Sequence, residues 1–231
     1  MSVVITIDGP AASGKSSIAR LVAKRLGYIF VGTGNMYRAF TWAVLHRGMD
    51  PDDAAAVIAD LPSIVFECPI LDGQTHVRLD GHDLAADQLN SDAVNAAVSL
   101  IARIPEVRAR LVADQRALIR LGSLVMEGRD IGSVVFPDSP YKIYIDASEE
   151  VRATRRRAQG QTDNLAERDR MDKARQSSPL VIPDGATIID NSAITLEEAV
   201  NQVLDALRSK KLPDLSAGTA NDPNTTAAPP H

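Results

Sequence analysis

The sequence predicts an α/β fold with a mostly parallel sheet between layers of helix. Three observations predict it. Short, continuously apolar runs recur at Val3–Ile7, Tyr28–Val31, Leu124–Met126, Ile143–Ile145 and Thr187–Ile189, the pattern of strands buried on both faces. Segments of helical periodicity separate several of them. A glycine-rich turn joins the first run to the first amphipathic segment. This alternation implies βαβ units.

The elements follow in chain order. A helix is expected from about Ser16 to Leu26, with Ile18, Leu21, Val22 and Leu26 on one face. A second, from about Asn35 to His46, carries Tyr37, Phe40, Val44 and Leu45, and Trp42 within it reads as packing. Between Pro62 and Leu84 the character changes. Ser63–Glu67 and His76–Leu79 read as strands, punctuated by Pro69 and Asp72-Gly73, with a third short strand after Asp80-Gly81. This is a small antiparallel insert. Helices resume at about Asp92–Ile101 and Glu106–Leu121. Thr195 and Glu198 have capping-box spacing for a last helix, roughly Leu196 to Leu207. From about Pro213 the chain is Ser, Ala, Gly, Thr, Asn, Asp and Pro. Such a tail buries too little apolar surface to order itself and is expected to be disordered.

Composition bounds the function. The 231 residues, 45% hydrophobic and 24% charged, suit one domain with embellishments. A net charge of -5 argues against broad attraction to nucleic acid or to an anionic membrane. A polyanionic ligand therefore requires a local cluster of cations. The single cysteine, Cys68, excludes an intramolecular disulfide and a thiolate metal cluster. It follows Ile64-Val65-Phe66 and is expected to be buried. His46, His76, His82 and His231 show no metal-ligand spacing. The N-terminal stretch reads as a strand rather than a signal peptide, and no apolar run reaches membrane-spanning length. A cytosolic protein is expected.

Gly9-Pro10-Ala11-Ala12-Ser13-Gly14-Lys15-Ser16 matches the pattern G-x-x-x-x-G-K-[ST], between a buried strand and a helix. Glycines let the backbone curl so that several N–H groups face phosphate oxygens. The helix N-terminus adds positive partial charge. Lys15 brings a full charge for the β and γ phosphates, and the Ser16 hydroxyl, followed by Ser17, is placed for Mg²⁺. The loop implies a bound nucleoside triphosphate and leaves the acceptor open.

Three further segments concentrate polar groups. Gly32-Thr33-Gly34-Asn35-Met36-Tyr37-Arg38 opens the second helix. Met126-Glu127-Gly128-Arg129-Asp130-Ile131-Gly132 follows a core strand, where open parallel sheets bind their ligands. Arg152 to Arg175 carries eight basic and four acidic residues. Within it Arg168, Asp172 and Arg175 share one helical face. Arginines there could swing over a triphosphate, with 158–162 as a hinge.

Together the loop at Gly9–Ser16, Thr33–Arg38, Glu127–Pro137 and Arg168–Arg175 resemble the bacterial cytidylate kinase family, over about residues 2 to 208. The resemblance implies a P-loop NTPase-type three-layer fold. It has a five-stranded parallel sheet, an acceptor-binding insert at about 34–115 with its small sheet at 62–85, and an arginine-rich lid at about 152–176. The tail is 211–231, and a monomer is expected. ATP would be the phosphoryl donor, with Mg²⁺, and CMP or dCMP the acceptor. Ser99, Arg108 and Asp130 match positions that read cytosine. Arg38, Arg129 and Arg175 match groups on the acceptor phosphate, with Thr33 beside them. Arg168 and Asp172 match positions near phosphate and sugar. Lys15, Arg129, Arg152, Arg156, Arg168 and Arg175 are the candidate charge-neutralising groups. Ser16 would hold Mg²⁺ directly and Glu127 through water. Two features depart from the family: Gly32 stands where an aspartate is usual, and the stretch between Arg157 and Arg168 is shorter. Another small acceptor, or a nucleotide-binding switch with slow hydrolysis, stays open at this point.

Overall fold

The computed structural model describes residues 2–158, 169–172, 174 and 178–213. The expected hinge at 159–162, Arg168, Arg175 and the tail from 214 lie outside the described residues. The first half builds β1 (Val4–Asp8), α1 (Lys15–Leu26), β2 (Ile29–Gly32) and α2 (Thr33–His46). Next come α3 (Ala54–Asp60) and five two-residue strands: β3 (Phe66–Glu67), β4 (Ile70–Leu71), β5 (Gln74–Thr75), β6 (Arg78–Leu79) and β7 (His82–Asp83). Helices α4 (Ala86–Leu89), α5 (Asp92–Ile101) and α6 (Pro105–Ala117) follow. The second half adds β8 (Leu124–Gly128), a π-helical turn at Ile131–Val135, β9 (Tyr141–Asp146), α7 (Glu149–Ala158), β10 (Thr187–Asp190) and α8 (Leu196–Ser209).

The main sheet has the order β10-β9-β1-β8-β2-β5-β4. Its strands β10, β9, β1, β8 and β2 are parallel neighbours. The sheet is thus larger than the five strands expected. The hairpin β4–β5 attaches to the β2 edge through one parallel pair, Phe30 with Gln74. Strands of two residues carry no readable alternation, so this extension left no pattern in the sequence. The remaining insert strands form a separate antiparallel sheet, β3-β6-β7.

Alternating side chains divide the core in two. Ile5, Ile7, Val125, Ile143 and Ile145 pack with α1 and α8 on one face. Val4, Leu124 and Met126 pack with α2, α5 and α6 on the other. Burial on both faces explains why apolar residues predominate in β1, β8 and β9. Helix α8 starts on the expected capping box, with Thr195 Oγ1 accepting from the Glu198 amide and Glu198 accepting from the Thr195 amide. Trp42 stacks on His46 with ring centroids 4.4 Å apart, half-buried on the flank of α2. Cys68 is half-buried rather than enclosed, packed against the edge of the second core.

Leu111 of α6 is fully buried in the second of these cores. Leu111→Ala is expected to lower unfolding stability by about 2–5 kcal/mol. Chemical denaturation of the two proteins checks this, and equal midpoints would place Leu111 outside the load on that core.

Candidate active site

The parallel strands β1 and β8 lie side by side, with Asp8 opposite Gly128 in register. Their continuations therefore leave the sheet at the same edge. One is the phosphate loop, the other the segment Arg129–Gly132. Between them and α2, α5, α7 and the loop after β10 lies a cavity of about 630 Å³.

The loop is shaped from outside. A Cβ on Gly9 would stand 2.1 Å from the Ile145 carbonyl oxygen, so only glycine fits beside β9. Gly14 has φ +91, in the region that favours glycine, and Ala12 has φ +58. Three carbonyls of the loop are held by donors. Lys15 Nζ donates to Pro10 at 3.0 Å. Arg152 Nη1 donates to Ala11 at 3.2 Å. Asn191 Nδ2 and Arg155 Nη1 donate to Ser13 at 2.7 and 3.1 Å. Helix α1 begins at Lys15 behind Gly14 with no side-chain cap, leaving its first amides for an anion.

Ala11, Ala12, Gly14, Lys15, Ser16 and Ser17 line the cavity. Gly9, Pro10 and Ser13 support the loop from behind and do not line it. Ser16 Oγ donates to Glu127 Oε1 at 2.9 Å, and Lys15 Nζ stands 4.0 Å from Glu127 Oε2. Glu127, next to last in β8, shares the face of Val125, toward α1.

The opposite wall holds Thr33, Arg38, Ser99, Arg129, Asp130 and Asp172. Thr33 Oγ1 donates to the Glu127 carbonyl at 2.8 Å. A Cβ on Gly128 would meet Thr33 Oγ1 and Ile131 Cδ1, each at 2.7 Å, so glycine permits this closure. Arg38 donates to the Leu89 carbonyl at 3.1 Å and to Asn95 Oδ1 at 2.7 Å. Arg129 Nε donates to Asp172 Oδ2 at 2.9 Å. Burial opposes the Arg129 cation, but Asp172, with Glu127 and Asp169, outweighs it and raises its pKa above the ordinary value. Gly32 leaves ordinary contact room, with its Cβ position 3.6 Å from Glu127 Oε1.

Two of the expected site residues stand behind the cavity wall. Arg108 does not line the cavity. It lies buried behind Asp130, ion-paired with it, bonded to the Ala102 carbonyl at 3.2 Å and 5.3 Å over the Tyr37 ring. Its guanidinium holds the Asp130 carboxylate in place. Arg152 also stays out of the cavity. Besides Ala11 it bonds the Ala147 carbonyl and pairs with Asp169, so it braces the loop from beneath. Arg156 does line the cavity, and Arg155 joins it there.

Sequence reasoning missed Asp8, Arg155 and Asn191 as site supports. Asp8 had a readable signal, since it is the one acid closing an otherwise apolar strand. It is fully buried and accepts from the Ile131 and Gly132 amides at 2.7 Å each. Burial pushes its carboxyl up to about 7, against those two bonds, while Asp130 adds to the rise and Lys15 counters it. Asn191 carries no local signal.

A glycine cradle between a buried strand and an uncapped helix, at the carboxyl edge of a parallel sheet, defines a P-loop protein with a site for a nucleoside triphosphate. The comparisons with known proteins narrow the class. The model of the cytidylate kinase family matches residues 5–209, and this chain belongs to that family. A cytidylate kinase of Pelotomaculum thermopropionicum is 43% identical over 213 residues, covering 87% of this chain and 93% of that protein. One from Mycobacterium leprae is 41% identical over 220 residues, covering 90% and 96%. One from Geobacillus sp. strain WCH70 is 38% identical over 217 residues, covering 89% and 96%.

Asn191 is a clean probe of the cradle, because its amide meets the loop and not the acceptor wall. Asn191→Ala is expected to weaken ATP binding by up to about tenfold, because the buried Ser13 carbonyl loses the shorter of its two donors and keeps Arg155. Titration calorimetry with ATP reads the change, and an unaltered Kd would mean that the loop keeps its shape without this brace.

Proposed function

We propose that this chain transfers the γ-phosphoryl group of ATP to CMP or dCMP, giving ADP and CDP or dCDP, in pyrimidine nucleotide metabolism. One observation carries the reading. A phosphate cradle and a wall bearing Arg38, Arg129 and the anchored Asp130 enclose the same cavity.

The acceptor phosphate is already largely dianionic at neutral pH, since its second pKa is about 6. Its oxygen needs no protein base. Catalysis is then positioning and charge neutralisation. Lys15 and the α1 amides would hold the β and γ phosphates. To do so Lys15 exchanges its bond with the Pro10 carbonyl for phosphate oxygens. Arg38 and Arg129, with Thr33 beside them, are the groups for the acceptor phosphate. Arg156 supplies further positive charge on the donor side. Asp172 holds Arg129 and stands near the acceptor sugar.

Asp130 is the base-reading group. A carboxylate accepts from the cytosine N4 amine. Uracil presents an oxygen there and would leave the buried charge unsatisfied. The Arg108 pair fixes the carboxylate, and Ser99 adds a hydroxyl to the same wall. The hard oxygens of Ser16 and Glu127, bonded to each other at 2.9 Å, suit Mg²⁺, which Ser16 would hold directly and Glu127 through water. The ion would supply charge neutralisation for the donor phosphates.

A coupled ADP-release assay with Mg-ATP tests the reading, comparing CMP, dCMP, UMP, AMP, GMP and no acceptor. CMP and dCMP should turn over far faster than the rest. Equal ADP release with and without every nucleotide would point instead to simple hydrolysis. Asp130→Asn should cut kcat/KM for CMP by about tenfold to a hundredfold and narrow the gap to UMP, as expected for a lost buried polar match. An unchanged CMP to UMP ratio would remove Asp130 from base reading.

A further inference from the structure

We propose that Asp8 is a positioning residue for the acceptor side of the reaction. It latches the segment that presents Arg129 and Asp130 onto the strand that feeds the phosphate loop. The inference deepens the phosphotransferase reading of this cavity and rests on it.

The geometry is specific. Asp8 ends β1, and the next residue, Gly9, begins the phosphate loop. Asp8 does not line the cavity. Its two carboxylate oxygens each take one amide of the neighbouring segment, Oδ1 from Ile131 and Oδ2 from Gly132. Those amides directly follow Asp130, whose backbone is irregular at φ -144 and ψ 24. The Asp130 side chain is drawn the other way, toward α6, by Arg108. Asp130 is therefore held between two ties. Arg108 fixes its carboxylate and Asp8 fixes its backbone. Arg129 belongs to the same short turn.

The latch is also close-packed. A Cβ on Gly132 would stand 2.8 Å from Thr6 Oγ1, 3.1 Å from Asp8 Oδ2 and 3.1 Å from Pro183 Cγ. Water is excluded, as Thr6 and Asp8 are fully buried. A buried carboxylate whose hydrogen bonds among the described residues are two amides of another segment is a costly group to keep in a core. Its partners explain it here. They set the spacing between donor loop and acceptor wall, and misplacements of about 1 Å in such spacing cost on the order of a hundredfold in rate.

The test separates positioning from folding. Asp8→Asn keeps the volume but turns an amide donor toward one of the two N–H groups. Kinetics of the whole chain would be measured with CMP varied at saturating Mg-ATP, and with ATP varied at saturating CMP, alongside thermal unfolding. The expected result is a KM for CMP raised about tenfold, a lower CMP to UMP preference, and a KM for ATP changed less than about threefold. Gly132→Ala strains the same latch without altering its charge and should give the same split. It also carries the test if Asp8→Asn does not fold. Thr6→Val, which removes no hydrogen bond seen in the structure, should lower neither CMP affinity nor preference. KM values for CMP and ATP that rise together, or a CMP KM and preference left unchanged in both variants, would overturn the proposal. Should the wild-type chain prefer another nucleotide, the CMP reading fails. The Asp8 split is then read with that nucleotide in place of CMP.

Discussion

Parallel pairing of β1 with β8 at the middle of the sheet is the constraint on which the rest depends. Parallel strands end at the same edge, so the loops that leave them are neighbours by construction. The register puts Asp8 beside Gly128, and the two loops start from adjacent points. One cradles phosphate through backbone amides. The other ends in charged side chains. Neither could be moved without sliding a strand whose side chains are buried on both faces, and a one-residue slip would exchange those faces.

The two faces of the sheet serve the two halves of the cavity. On the side of α1 and α8, apolar packing anchors the helix that opens the phosphate loop. On the side of α2, α5 and α6, the other core anchors the helices that carry Arg38, Ser99 and Arg108. Helix α7 reaches the loop from its far side through Arg152 and Arg155. Surface pairs such as that of Arg25 with Glu197 add little to this arrangement, since exposed ion pairs are screened by water. Burial against the sheet does most of the positioning.

The parts readable in the sequence are those whose meaning is local. The phosphate loop is fixed by spacing within eight residues, and its neighbours are a buried strand and an amphipathic helix. The core strands show as apolar runs, and the Thr195 capping box as a pair three residues apart. The turn after β8 stands out because charge follows a wholly apolar strand. What the supports bond was not readable, because their partners are remote in sequence, even where the residue itself stood out, as Asp8 does. Asp8 bonds residues 123 and 124 positions away, and Asn191 bonds Ser13 across 178. Arg108 and Arg152 were visible as residues, but whether each faces the ligand or stands behind another side chain depends on packing. The β4–β5 hairpin is too short to leave a period.

The outward pull on the phosphate loop has a consequence for how a ligand enters. Ala11 and Ser13 spend their carbonyls on Arg152, Arg155 and Asn191 outside the ring, and Pro10 spends its own on Lys15 within it. With its carbonyls engaged in this way, the ring keeps its curl without needing an anion to impose it. The entropy of ordering it therefore falls on folding rather than on association. On the proposed function, Lys15 would exchange the Pro10 carbonyl for phosphate oxygens. Ligand entry at the cradle would then be an exchange of hydrogen bonds on a frame already built.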